Sequence, residues 1–189
     1  MIKRILIIGF GMMGKSHLYS FINSKHKYEI SIYDKKNYSK IEISNYFNKV
    51  NFLKKFPKKK KYDCVIIATS SDIRFLLLKK ILKFNKVNKV ILEKFIFPKI
   101  VQYKKFAKFS ENYKDLILKV NTWGDYLYRN LKLPKNIKNN NVKIFVPEGT
   151  LLSNTIHYLD FCFRKIQKIE INLNLKRIIN SKRNSYHEA

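Results

Sequence analysis

The chain of 189 residues predicts an α/β fold, a doubly wound parallel sheet followed by a second, smaller α/β segment. Three observations carry that expectation. The opening stretch ILIIGFGMMGKSH, Ile5 to His17, runs four apolar residues straight into Gly9, Gly11 and Gly14 at the spacing GxGxxG. A second apolar strand, Tyr28 to Tyr33, ends in Asp34, about 20 residues after the last glycine. Beyond it, apolar runs of strand length alternate with helical periodicity, the pattern of a parallel sheet covered on both faces. Strand, glycine turn, helix, strand and acid in this order read as a Rossmann dinucleotide-binding unit.

Each glycine has a physical task. Gly9 lets the chain turn sharply off the strand, Gly11 leaves room for a pyrophosphate against the backbone, and Gly14 lets the following helix pack closely on the sheet. The phosphates are expected at that helix N-terminus, along the backbone of Phe10, Met12 and Met13 between the glycines, where unpaired N–H groups and the helix dipole favour negative charge. Asp34 is placed to bind the adenosine ribose hydroxyls and would repel a 2′-phosphate, which favours NAD. Lys35 and Lys36 follow it and could attract that phosphate, so NADP stays open.

The first helix is expected over roughly Met12 to Ser24, with Met13, Leu18, Phe21 and Ile22 apolar. Ile41 to Phe56 is amphipathic and poorly defined, with one short helix and a short strand at Val50 to Leu53. Tyr62 to Thr69, YDCVIIAT, is a continuous buried strand. Ser70, Ser71 and Asp72 can cap a helix in which Ile73, Leu77, Ile81 and Phe84 recur at helical spacing. The strand Lys89 to Glu93, a helix over Lys99 to Asn112 and the strand Leu116 to Asn121 follow. From Thr122 the pattern changes: Gly124, Pro134, Pro147 and Gly149 punctuate the chain. A strand is expected at Val142 to Val146, a helix over Asn154 to Lys165, and a strand with one exposed face at Ile169 to Leu175. The domain boundary is placed near residue 121, giving a dinucleotide-binding domain over 1–121 and a partial substrate or oligomerisation domain over 122–189.

Composition narrows the classes. No stretch approaches the ~18 apolar residues of a membrane span, and the short N-terminal apolar run ends in the glycine turn, so no signal peptide is expected. Cys64 and Cys162 lie in apolar contexts without CxxC spacing and read as buried thiols of a reducing cytoplasm. No His, Cys or acid cluster suggests a metal. The net charge of +27 raises nucleic acid as a partner. The excess is 34 Lys against 6 Arg, accompanied by many Asn, Ile, Phe and Tyr, all with A/T-rich codons, and genome composition accounts for it better. Lys58 to Lys61, beside Pro57, reads as a solvated turn or a polyanion site.

Four stretches in order, GFGMMGKSH at 9–17, ATSSDIRF at 68–75, ILEKFIF at 91–97 and GTLLSNTIHYLDF at 149–161, resemble the Gfo/Idh/MocA family of nicotinamide-dependent sugar oxidoreductases. The likeness covers nearly the whole chain. Within the family, GTLLSNTIHYLD and the late Ser181 to Arg183 look closest to branches of bacterial surface-sugar synthesis. The resemblance implies a Rossmann domain followed by an α/β domain whose large open antiparallel sheet walls the substrate pocket and often pairs subunits. Members usually run well past 300 residues, so a chain stopping at Ala189 reads as C-terminally truncated.

The resemblance also implies site residues. The family's catalytic lysine, in its EKP motif, falls on Lys94 of Glu93-Lys94-Phe95, with Phe95 in place of the proline. Lys94 lies just past the carboxyl end of a strand, where open α/β sheets bind ligands. Partial burial there would lower its pKa and fit it for proton exchange with a substrate hydroxyl. The catalytic histidine falls on His157 and the following acid on Asp160, three residues on and so on the same helical face, where it can orient the imidazole; a histidine packed at a helix start is the plainer alternative. The acid often found four residues earlier is Ser153 here, with Asn154 offering a polar contact to substrate. Thr69, Ser70 and Glu93 complete the expected cofactor-binding set, although capping alone would account for Ser70 and Asp72. His17 either fixes the first helix near the cofactor or packs, and Asn121 and Trp123 either belong to a substrate loop or to the core. The implied activity is hydride transfer between NAD and a sugar carbinol, in the cytoplasm, with a small-molecule sugar as partner and a homo-oligomer as the assembly. A non-catalytic dinucleotide-binding remnant is the alternative.

Overall fold

A computed structural model describes residues 2–36, 50–130, 156–161, 175–177 and 186–188. The chain divides into two compact units, Met1–Asn121 and Thr122–Ala189.

The first unit is built on a six-stranded sheet in the order β3-β2-β1-β5-β7-β8, every neighbouring pair parallel. The strands are β1 (Lys3–Ile8), β2 (Tyr28–Tyr33), β3 (Asn51–Leu53), β5 (Cys64–Ile67), β7 (Lys89–Glu93) and β8 (Ile117–Asn121). Helices α1 (Met12–Ile22), α2 (Ser71–Phe84) and α3 (Ile100–Ser110) connect them. After β1 the chain builds outward through β2 and β3, then returns to β5 on the other side of β1. That reversal opens a crevice at the carboxyl ends of β1 and β5, where such sheets bind ligands.

The strand β1 is central because its side chains are apolar on both faces. Leu6 and Ile8 join Val65, Ile67, Val90 and Leu92 under Leu77, Leu78 and Ile81 of α2. Ile5 and Ile7 join Ile30, Ile32, Ile66 and Phe10 under Leu18 of α1. At roughly 1.5–3 kcal/mol for each large apolar side chain removed from water, these two layers dominate the stability of the unit. Between α2 and α3, Phe75 meets Phe97, Phe106 and Phe109 edge to face, and Phe97 packs tilted on Phe106, at centroid distances of 5.3–6.4 Å.

The strand expected over Tyr62 to Thr69 is in fact two pieces. Lys61–Tyr62 (β4) pairs with Lys86–Val87 (β6) in a separate small parallel sheet, and Cys64–Ile67 alone joins β1. Asp63 makes the break: its carboxylate accepts the Arg4 N–H at 2.8 Å, and its own N–H donates to the Arg4 carbonyl at 2.9 Å. The short strand expected at Val50 to Leu53 is present as β3, the sheet edge, while the helix expected between Ile41 and Phe56 falls mostly outside the described residues.

In the second unit, Gly124–Asn130 forms a helix, α4, that periodicity had not revealed, and 156–161 is helical (α5) within the span expected from Asn154 to Lys165. The antiparallel pair β9 (Leu175–Arg177) and β10 (Tyr186–Glu188) is the sheet described there. The expected strand Val142 to Val146, most of Ile169 to Leu175, Ser153 and Asn154 lie outside the described residues. Among the described residues no helix is long and apolar enough to cross a membrane.

Candidate functional site

The glycine turn has the steric character its spacing demands. Gly9 sits at φ +94°, and a Cβ there would lie 2.9 Å from the Thr69 side chain and 3.0 Å from the Ala68 carbonyl. A Cβ on Gly14 would come within 2.0 Å of the Gly9 carbonyl oxygen, so α1 can approach the turn only without a side chain. A Cβ on Gly11 would meet no protein atom within 4 Å. It would project into open space at the mouth of α1, whose N-cap is Gly11 and whose first turn receives no side-chain cap. Met12 and Met13 present backbone at this mouth with their side chains exposed, whereas the Phe10 ring is buried and meets Phe52 edge to face at 5.3 Å.

Asp34, at the end of β2, braces this turn. Its Oδ2 accepts the Phe10 N–H at 2.6 Å and its Oδ1 accepts the Lys36 N–H at 2.8 Å. Beside it a cleft opens between Gly9, Tyr33, Lys35, Thr69 and Ile73, with apolar walls and the carboxylate at its rim. An adenosine fits this chemistry: flat apolar walls for the base, a carboxylate for ribose hydroxyls, and free helix N–H groups beyond for phosphates. Ser70 occupies the N-cap position of α2 without bonding the helix amides. A hydrogen bond from Ser70 instead holds the Asp72 carboxyl below its ordinary value.

A polar core lies beneath the carboxyl end of β7. Glu93 is 4% exposed, and its Oε1 accepts from His17 Nε2 at 2.6 Å and from Asn121 Nδ2 at 2.8 Å. Burial alone would raise the Glu93 carboxyl, but the bonds from His17 and Asn121, with the charges of His17 and Arg74, hold it below the ordinary range. To donate, His17 must carry its proton on Nε2. His17 therefore ties α1 to the strand that ends in Glu93. Lys94 is the next residue, half-buried; burial lowers its ammonium, opposed by the Glu93 charge.

Arg74, on the first turn of α2, was not singled out by the sequence. It is 2% exposed and its guanidinium donates to the carbonyls of Glu93, Phe95 and Ile96 through Nη1 and of Thr69 through Nη2. Burial pushes its pKa down, and the charge of Glu93 opposes this. The available signal was its type. In a chain with 34 lysines and 6 arginines, an arginine one turn before the apolar pair Leu77 and Leu78 marks a place where a lysine would not serve.

In the second unit the His157 ring is 5% exposed and stacks on Trp123 at 4.7 Å with 28° between planes. Its Nδ1 accepts the Trp123 N–H at 3.2 Å, which assigns the neutral ring's proton to Nε2. Tyr158 also meets the indole, edge to face at 5.1 Å. Asp160 accepts the Thr122 hydroxyl at 2.7 Å, and a Cβ on Gly124 would lie 2.4 Å from Asp160 Oδ2. The 122–124 segment and α5 are thus locked together through a histidine, an acid and a glycine.

Crevice, glycine turn and acid define the first unit as a dinucleotide-binding Rossmann domain. Residues 3–121 match GFO_IDH_MocA, the oxidoreductase family with an NAD-binding Rossmann fold, and the chain belongs to that family. No curated protein matches the chain at the sequence level. Among solved structures it is similar to myo-inositol 2-dehydrogenase from Lactobacillus plantarum, at 15% identity and a TM-score of 0.57 over 68% of this chain and 39% of that one. Scyllo-inositol dehydrogenase from Lactobacillus casei, with bound NAD(H) and scyllo-inositol, matches at 17% identity and 0.54 over the same shares, 68% and 39%. Biliverdin reductase from Synechocystis sp. PCC 6803, in complex with biliverdin and NADP+, matches at 18% and 0.50 over 67% and 42%. The chain spans about two-fifths of the length of these structures, and at such identities the likeness is one of fold.

Proposed function

We propose that this chain serves a nicotinamide-dependent oxidoreductase that moves hydride between NAD and a hydroxyl or carbonyl of a sugar or sugar derivative. The observation that carries the reading is Lys94, half-buried at the carboxyl end of β7 and directly after Glu93, whose side chain is itself held from α1 and β8. The chemistry that NAD supplies when bound is hydride exchange at its nicotinamide ring. Gly9, Phe10, Gly11, Met12, Met13 and Gly14 hold the pyrophosphate, and Asp34, Thr69 and Ser70 frame the adenosine. Lys94 Nζ takes or returns the proton of the substrate hydroxyl, a task that the lowering of its pKa by burial favours. His157, with Nε2 protonated, and Asp160 give the second unit its polar contacts to substrate, and Asn154 adds another. Polyol substrates of the two inositol dehydrogenases support a sugar-like partner.

Fluorescence titration with NADH and NADPH, followed by turnover on a panel of sugars and cyclitols, tests this. Lys94→Ala should lower turnover roughly 10²- to 10⁴-fold while leaving NADH affinity within about twofold. Turnover equal to the unsubstituted chain would refute the role of Lys94. Saturable NADH binding without turnover on any member of the panel would favour the non-catalytic, dinucleotide-binding alternative.

A further inference from the structure

Lys94 lies in the stretch between β7 and α3, which is neither helix nor strand. Phe95 is 43% exposed and no proline stiffens the chain before Pro98. The next deeply buried side chain is Phe97, 3% exposed and set among Phe75, Tyr103 and Phe106. Between the anchored Glu93 and Phe97, the carbonyls of Glu93, Phe95 and Ile96 all turn toward one side chain, Arg74.

We propose that Arg74 is the positioning residue for Lys94: its guanidinium fork ties the carbonyls on both sides of the lysine to the Thr69 carbonyl beyond the end of β5. Holding the Glu93 carbonyl fixes the peptide plane that enters the Lys94 Cα, and holding the Phe95 and Ile96 carbonyls pins the backbone just beyond it, so the lysine leaves the chain between two fixed points. Only a planar, multiply donating group can reach two loops at once; an ammonium is a point charge with three donors and no fork. Three things indicate that the fork is there for this geometry. The side chain is 2% exposed, a costly place for a cation. Its Nε has no hydrogen-bond partner, so the burial serves the terminal nitrogens. The charged or ionisable side chains that face it, Glu93, Tyr103 and Asp72, do not accept its hydrogen bonds; backbone carbonyls do. Because Thr69 also lines the adenosine cleft, the same clamp sets Lys94 in register with the cofactor-side loop. The inference rests on the reading of Lys94 as the proton-handling group.

The test follows the Lys94 amine in the full chain. Lysines are reductively methylated with ¹³C-formaldehyde, and the Lys94 signal is identified by its loss in Lys94→Arg. Its titration is then compared in the native sequence and in Arg74→Lys, which keeps the charge and removes the fork, with a cooperative thermal transition as the check on folding. Lys94 should titrate below the ordinary lysine range in the native sequence and move back up toward that range in Arg74→Lys as the loop loosens and water reaches the amine. A lowered midpoint that Arg74→Lys leaves unchanged would overturn the role of Arg74 and leave the proton role of Lys94 standing. An ordinary midpoint in both would overturn the reading of Lys94, and this inference with it. If Arg74→Lys does not fold, ¹⁵N-arginine labelling of the native chain decides. One guanidinium of the six arginines should show separate, slowly exchanging Nη signals, and six freely averaging ones would overturn the clamp.

Discussion

Glu93 shows how a single buried acid is made tolerable. Losing water would drive its carboxyl toward the neutral form, yet His17 and Asn121 both donate to the same oxygen, and their bonds with the nearby charges outweigh that cost. Because the folded value lies below the unfolded one, near 4.3, the ionised carboxylate stabilises the fold above that pH, and this contribution is lost as pH falls through the lowered folded value. Glu93→Gln keeps an oxygen in place but removes the charge that roughly doubles the strength of such bonds. It should therefore cost about 1–2 kcal/mol at pH 7, and the gap should close as both proteins are taken down toward pH 3. Urea melts at pH 7, 5 and 3 measure it; a gap independent of pH would mean that the charge contributes nothing. The pairing of His17 with Glu93 spans 76 positions, so no local spacing could have revealed it.

At the scale of elements, the turn between β1 and α1 separates two demands that the three glycines share. Gly14 is needed by the protein: a methyl group 2.0 Å from the Gly9 oxygen forces α1 off the turn. Gly11 meets no such neighbour: its missing side chain faces open space, which the proposed function gives to the pyrophosphate. Gly14→Ala should therefore destabilise the unit by about 1–3 kcal/mol and abolish NADH binding with it. Gly11→Ala should stay within about 1 kcal/mol of the native chain and still lose the dinucleotide, because its Cβ occupies the path of the pyrophosphate. Thermal melts beside NADH titrations separate the two, and native NADH affinity in Gly11→Ala would show that the pyrophosphate does not lie against this turn. These glycines were legible because their spacing follows a buried strand directly, as were β1, β2 and β7, whose apolar runs are long enough to see. The pieces that escaped are those with no period to detect. The strands β4 and β6 are two residues each, set by Asp63 and the small sheet they form. The helix α4, at seven residues, is too short for an apolar stripe to repeat. Arg74 escaped for a different reason: helical patterning assigns a charged residue to the surface, and only its burial and the carbonyls around it show why it faces inward.

For the whole molecule, the charge of +27 acts on any anionic ligand before a specific contact forms, and its reach depends on salt. Such a field is felt over roughly 30 Å at 0.01 M ionic strength and about 8 Å at 0.15 M, and it raises local concentration and association rate without choosing among anions by shape. The cleft makes the opposite choice at short range, because Asp34 stands at its rim beside Lys35 and a carboxylate there opposes a ribose 2′-phosphate. The two effects are separable because only the first is strongly screened. NADPH, which carries the additional phosphate, should gain most from the field: at low salt its affinity should approach or pass that of NADH. At physiological salt NADH should be preferred, and Asp34→Ala should erase that preference by weakening NADH and strengthening NADPH. Dissociation constants for both dinucleotides between 0.01 and 0.3 M salt give the answer. A preference for NADH that does not change with salt would mean that the lysine excess is spread too evenly over the surface to act at this cleft. A preference for NADPH that persists at high salt would assign the rim to Lys35 and Lys36 instead of Asp34.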